Sequence, residues 1–355
     1  MKWLHSLLLL TASCSLAEGT TTSASAQAGA EGAAGNTHIV HSDVPYGNHA
    51  RQVMDIHLGR EDARLGERNH TIVFLHGGGF SFGDKTDNGR YVTPFLLRDM
   101  NVVNMSYRIR QGVAVATEDL TNALNHLARN NHRYGLDLSN VIVGGFSAGA
   151  MIATTVGLSQ NDPGYTFPLD PGIRITGILN FSGPVDRLAA IKEIFRSSAD
   201  ETWQLVGRNL FPADPRFTRE EMIEKFTPFT YLRDGVPPIF LSHGGLDDQV
   251  PPSTFARFVE SLRSSSTHHR IVFYAEAGHS KRPQELDETF IEVFRFLDGI
   301  SRRRAPVYDI HSNRQRREPP CGDAGFAAHR VDAGGGRCTD GHPPAADRPR
   351  AGWVS

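Results

Sequence analysis

An α/β fold with a mostly parallel sheet is what this sequence predicts, and three observations point to it. Compact apolar runs and helical stretches alternate between Asn36 and Ile300. Most of the runs are continuous rather than alternating, as in strands buried on both faces of a sheet. Eight such runs fill about 265 residues without an internal repeat, which fits one domain over 36–300 rather than two.

The elements follow in order. Residues 38–40 and 53–57 read as a hairpin turning around Pro45-Tyr46-Gly47. Residues 71–75, 101–105, 141–144, 175–181, 239–241 and 270–274 supply the remaining strands. Helical patterning covers 117–130, 148–158, 253–264 and 285–297. Residues 181–237 break the rhythm, with helical pieces at 187–197 and 219–226 and no good strand. A small helical insertion after the sixth strand, on the side where strand ends open, would sit over a site and shape its entrance.

Composition excludes several classes. The 355 residues carry a net charge of -2, against the strongly basic face expected of a nucleic-acid binder. Three cysteines (14, 321 and 338) with no C-x-x-C pair rule out a disulfide scaffold and give no sign of a zinc site.

The ends differ from the middle. One Lys, the short apolar run Leu7 to Leu10 and the small residues Ser15-Leu16-Ala17 make a signal peptide over 1–17. The run is far below the ~20 residues that span a bilayer, so no stable membrane span is expected there. Secretion, or export to a periplasm, is the expected localisation. Cys14 offers a lipoprotein anchor as the alternative, although Thr11 stands where that motif usually has Leu. Residues 18–35 are Ala, Gly, Ser and Thr with little apolar bulk and read as a flexible linker. Residues 301–355 carry Arg302-Arg303-Arg304 and Gly334-Gly335-Gly336 without a hydrophobic period and read as a disordered tail, in which Cys321 and Cys338 could pair. Truncation at Ile300 is expected to leave folding and activity intact.

Gly145-Phe146-Ser147-Ala148-Gly149 is a G-x-S-x-G between a strand and a helical stretch. Chemistry needs that spacing because a sharp strand-to-helix turn exposes the Ser147 hydroxyl while the glycines leave room for the backbone to cross. His76-Gly77-Gly78-Gly79 follows the strand 71–75. Three successive glycines maximise the entropy cost of ordering, so they make sense where backbone N–H groups approach a reacting oxygen. Gly77, Gly78, Gly79 and Ala148 are the candidate oxyanion donors. No G-K-[ST] follows, so a phosphate loop is disfavoured. Asp247 and Asp248 lie in a loop after the strand 239–241, and spacing alone leaves both open as the orienting acid. His279 follows the strand 270–274 by a short loop and is the candidate base. The chain order Ser, Asp, His after successive strands raises all three together.

On these motifs the chain resembles the α/β-hydrolase superfamily, in the serine esterase and lipase branch with an HGGG oxyanion motif. Tyr107-Arg108, Asp119 and Tyr134-Gly135-Leu136-Asp137 add to the likeness, which runs from Val44 to Leu297. The family's H-G-x-x-D-x-x-V-P pattern falls on His243 to Pro251 and implies Asp247 as the acid. Phe80 departs from the commoner Trp, and Ala150 from a further Gly. The resemblance implies two-step acyl transfer without metal or organic cofactor: Ser147 as nucleophile, His279 as base, Asp247 as orienter. Branches with cap helices ahead of the first strand fit poorly. Small-acyl, acetyl-xylan and feruloyl esterases fit better, beside arylformamidases and prenylcysteine methylesterases. The expected substrate is a small-molecule or polysaccharide-linked ester. Amide or formamide hydrolysis by the same triad and a non-catalytic binding module are the alternatives. A long-chain lipase is disfavoured because no extended apolar lid is visible over 182–236.

Overall fold

The computed structural model of the chain describes residues 39–60 and 70–304. The leader, the linker, all three cysteines and the tail from 305 onward lie outside the described residues.

Among the described residues eight strands form one sheet: β1 (Ile39–Pro45), β2 (Val53–Leu58), β3 (Thr71–Leu75), β4 (Asn101–Met105), β5 (Val141–Phe146), β6 (Ile175–Phe181), β7 (Ile239–Gly244) and β8 (His269–Tyr274). Their spatial order is β1-β2-β4-β3-β5-β6-β7-β8. β1 and β2 pair antiparallel, as do β2 and β4, and all other pairs are parallel. Burial follows position. Every residue of β3, β4, β6 and β7 is buried, whereas β2 alternates and the edge strands β1 and β8 stay largely open. Continuous apolarity therefore marks the strands covered on both faces.

Among the described residues eight α-helices accompany the sheet: α1 (Gly89–Leu96), α2 (Gly112–Asn130), α3 (Ala148–Ser159), α4 (Leu188–Arg196), α5 (Glu201–Leu210), α6 (Arg219–Phe226), α7 (Ala256–Ser264) and α8 (Pro283–Arg304). One apolar core joins the sheet to α1 and α8 through Tyr91, Phe95, Phe290 and Phe296. A larger core gathers α2, α3, α7 and the insertion helices. All twelve residues of α3 are buried, so the helix leaving Ser147 is the central one of its layer. No helix among the described residues is long and apolar enough to cross a membrane.

Several elements differ from the sequence reading. α1 and α5 had no counterpart there. α2 begins at Gly112 rather than 117. α8 runs to Arg304, so the first four residues of the stretch read as a disordered tail from 301 belong to a helix. Ser301 is buried, and its hydroxyl lies 3.1 Å from His70 Nε2.

Candidate active site

The loops after β5, β7 and β8 meet at Ser147, and the loop after β3 borders the cavity there. β3 lies between β4 and β5, so the strand order reverses beside it, the position at which open α/β sheets form a crevice. Ser147 stands between β5 and α3 at φ 53° and ψ −120°, a conformation that non-glycine residues adopt only under constraint. Its N–H donates to the Phe181 carbonyl at 2.9 Å, which ties the turn to the end of β6. Gly149 shows why the motif needs glycine. A Cβ there would stand 2.4 Å from the carbonyl oxygens of both Leu75 and His76, so α3 could not close onto β3. Beginning at Ala148, α3 directs its free N–H groups and positive dipole end toward the serine.

Ser147, His279 and Asp247 are brought together. Ser147 Oγ lies 2.8 Å from His279 Nε2, and His279 Nδ1 lies 2.8 Å from Asp247 Oδ2. Asp247 Oδ1 also accepts from the N–H groups of Gln249 and Val250, at 3.0 and 2.8 Å. Burial would push the Asp247 carboxyl up, but the hydrogen bond and electrostatic pull of His279 and the Val250 N–H outweigh it and hold it below the usual carboxylate range. His243 backs this loop: its Nε2 donates to the Val250 carbonyl at 2.8 Å and lies 3.3 Å from Asp247 Oδ2. Burial pushes His243 down to about 4, so it is neutral at physiological pH. Asp248, the other carboxylate that spacing left open, is exposed and stands outside this chain of bonds.

Of the four candidate oxyanion donors, Gly78, Gly79 and Ala148 border the same cavity as Ser147. Gly77 braces the loop instead: its carbonyl accepts from His76 Nδ1 at 2.7 Å and from the Tyr107 hydroxyl at 3.3 Å. The His76 ring stacks on Tyr107 with centroids 4.1 Å apart, and burial pushes its pKa down to about 4. Asp119 is a second brace. It is wholly buried and accepts from Gln52 Nε2 at 2.8 Å and from Arg108 Nη2 at 2.6 Å.

The cavity at Ser147 has a volume of about 240 Å³. The insertion supplies most of its apolar wall: Ile191 and Phe195 from α4, and Trp203, Val206 and Leu210 from α5. Sequence reading expected no extended apolar lid over 182–236, and these two short amphipathic helices correct that in part. They form a wall seated on the glycine loop rather than a long flap. Asn209 Nδ2 donates to Ser81 Oγ at 2.9 Å, and a Cβ on Gly79 would stand 2.5 Å from Val206 Cγ1. A second hollow of about 190 Å³ shares Phe195, Trp203 and Gln249 with the first and adds Ser198 and Asp248, so it is the more polar of the two. The wall residues of α5 went unrecognised in the sequence. Asp200, which caps Thr202 N, and the spacing of Trp203, Val206 and Leu210 were the available signals.

A mostly parallel sheet with a strand–serine–helix turn and a serine, histidine and aspartate hydrogen-bonded at its crevice defines an α/β-hydrolase. Within that class the BD-FAE family model matches residues 54–262, and the chain belongs to that family. Its curated relatives include esterase LipQ of Mycobacterium tuberculosis, 25% identical over 260 residues that cover 70% of this chain and 58% of LipQ. Isoprenylcysteine alpha-carbonyl methylesterase ICME of Arabidopsis thaliana is 24% identical over 265 residues, covering 68% of this chain and 56% of ICME. The chain thus spans somewhat over half the length of these relatives. Esterase B from Lactobacillus rhamnosis shares the fold with a TM-score of 0.59 at 17% identity, over 75% of this chain and 87% of that one. A truncated carbohydrate esterase from gut microbiota does so with a TM-score of 0.58 at 17% identity, over 77% and 100%.

Proposed function

We propose that the chain is a secreted serine carboxylesterase acting on short-acyl or aryl esters of small molecules or polysaccharides. The observation that carries this reading is the run of 2.8 Å contacts from Ser147 through His279 to Asp247 beside an apolar cavity. His279 Nε2 takes the Ser147 proton as Oγ attacks the ester carbonyl, while Asp247 holds the ring and balances the imidazolium. The N–H groups of Gly78, Gly79 and Ala148 receive the oxyanion. Collapse of the tetrahedral intermediate, with the proton passing from His279 to the leaving alcohol, gives an acyl-enzyme, and water repeats the sequence to release the acid.

Size and polarity support the substrate class. At about 240 Å³ the apolar cavity is below the ~300 Å³ at which drug-sized pockets begin, which suits a short acyl or single aryl group. The polar hollow beside it, with Ser198, Asp248 and Gln249, suits a hydroxylated alcohol portion. The esterase names of the curated relatives point the same way. The test is release of p-nitrophenol from acetyl, butyryl and palmitoyl esters, with acetylated xylan, methyl ferulate and N-formylkynurenine alongside. Faster turnover of the short esters is expected, and Ser147→Ala is expected to abolish it. Preference for N-formylkynurenine over every ester would move the reading to a formamidase with the same triad.

A further inference from the structure

Two residues beyond His279, Lys281 is only 4% exposed, which is rare for lysine and costly unless the charge is partnered. It makes no ion pair among the described residues. Its Nζ donates to Ser182 Oγ at 3.1 Å, and the carboxylates of Asp247 and Glu285 act on it electrostatically. Glu285 itself is taken up by Arg282, whose N–H and Nε donate to it at 2.8 and 2.9 Å. On the other side, Arg90 of α1 donates from Nη2 to the Lys281 carbonyl at 2.6 Å.

The Ser182 contact links the base to the nucleophile. Ser182 follows Phe181, whose carbonyl accepts the Ser147 N–H at 2.9 Å. Ser182 is itself held at φ 55°, with its N–H donating to the Ser242 carbonyl at 2.9 Å. One buried ammonium therefore ties the loop carrying His279 to the strand end that anchors Ser147. We infer that Lys281 is a positioning residue: its ammonium, bonded to Ser182 Oγ, holds the His279 loop against the end of β6 and so sets the Ser147–His279 distance. This rests on the serine-hydrolase reading above.

The charge matters as well as the reach. The charged and titratable groups around Lys281 are Asp247 of the acid loop, His243 at the end of β7, His279 and Arg282 of its own loop, Glu285 in the first turn of α8, and Arg90 of α1. The carboxylates favour the ammonium, but burial is the larger effect and pushes its pKa down to about 8. Above that value the neutral amine makes a weaker bond to Ser182. The nucleophile's reactivity then falls on the alkaline side.

The experiment follows phosphorylation of Ser147 by diisopropyl fluorophosphate, with loss of fluoride, from pH 6 to 10, with p-nitrophenyl acetate turnover beside it. In the wild type the rate is expected to decline above about pH 8. Lys281→Met is expected to react about tenfold more slowly at pH 7 and to lack that decline, with KM for the ester little changed and kcat reduced. Lys281→Arg is expected to recover part of the rate and move the decline upward. Ser182→Ala, which keeps the lysine and removes its acceptor, is expected to slow the reaction in the same direction. Wild-type rate and pH profile in both Lys281→Met and Ser182→Ala would overturn the role of Lys281. Phosphorylation without turnover of any ester would overturn the esterase reading alone, and absence of phosphorylation in the wild type would overturn both.

Discussion

Ser147 keeps its strained backbone only because the groups around it leave no alternative, and Gly149 is the tightest of them. Gly149→Ala places a methyl 2.4 Å from two carbonyl oxygens, and overpacking of this kind costs about 1–3 kcal/mol or more. The elbow must open to relieve it, so a loss of activity beyond the loss of stability is expected, read as kcat against melting temperature. The two neighbouring aspartates separate cleanly. Asp247→Asn should lower kcat by a factor on the order of 10⁴, because an amide cannot hold the base tautomer or balance its charge, whereas Asp248→Asn should leave kcat within about twofold. Lys281 gives a third test, in stability. Its folded-state pKa of about 8 lies below the unfolded value of 10.5, so the unfolded chain binds the proton more tightly. The difference disfavours folding by something on the order of 3 kcal/mol at neutral pH, and that penalty disappears as pH rises from about 8 toward 10.5. The lost bond to Ser182 is worth only about 1 kcal/mol. Lys281→Met is therefore expected to melt higher than the wild type at pH 7, with the gap closing by pH 10, in scans at both values.

At the scale of elements, α5 decides what the cavity accepts. Its apolar side presents Trp203, Val206 and Leu210 to Ser147, while Asn209 fastens it to Ser81 beside the glycine loop. Val206→Ala should enlarge the cavity and shift preference from acetyl toward hexanoyl esters, seen as a ratio of kcat/KM values that changes by about tenfold. Trp203→Ala removes the ring shared by both hollows and is expected to raise KM for aryl esters with a smaller effect on acetyl esters. This helix is also the element least legible in the sequence. The central strands were legible because two-sided burial leaves an unbroken apolar run, and two motifs because Ser147 and Gly77 to Gly79 sit just beyond such runs; His279 follows the edge strand β8, which is only partly covered. α5 was not legible, since Gly207 interrupts it and half its surface is polar. α1 begins at Gly89 and contains Pro94, residues that ordinarily argue against a helix. The run Gly112 to Ala116 is buried throughout and lacks the polar face by which α2 becomes recognisable from Thr117 onward.

For the whole molecule, the informative junction is the end of α8. A domain ending at Ile300 would stop one residue short of a buried polar cluster. There Ser301 Oγ meets His70 Nε2 at 3.1 Å, His70 Nδ1 meets Asn140 Oδ1 at 3.0 Å, and Thr176 donates to the same Asn140 oxygen at 2.9 Å. These groups join the last helix to the amino-terminal ends of β3, β5 and β6, at the opposite end of the sheet from Ser147. Truncation after Arg304 keeps that cluster and is expected to leave both melting temperature and kcat/KM unchanged. Truncation after Ile300 removes the Ser301 hydroxyl from a ring only 2% exposed and shortens the helix by its final turn. Losing a buried hydrogen bond costs about 1–3 kcal/mol, which for a domain of this size lowers the melting temperature by several degrees. Because the damage is remote from the crevice, kcat/KM at 25 °C should survive in the folded fraction. His70→Ala in the full chain also breaks the bond to Asn140 and should lower the melting temperature at least as much, and combining it with the Ile300 truncation should cost less than the sum, since both remove the Ser301–His70 contact. Full additivity of the two losses would mean that the helix end is held by something other than this cluster.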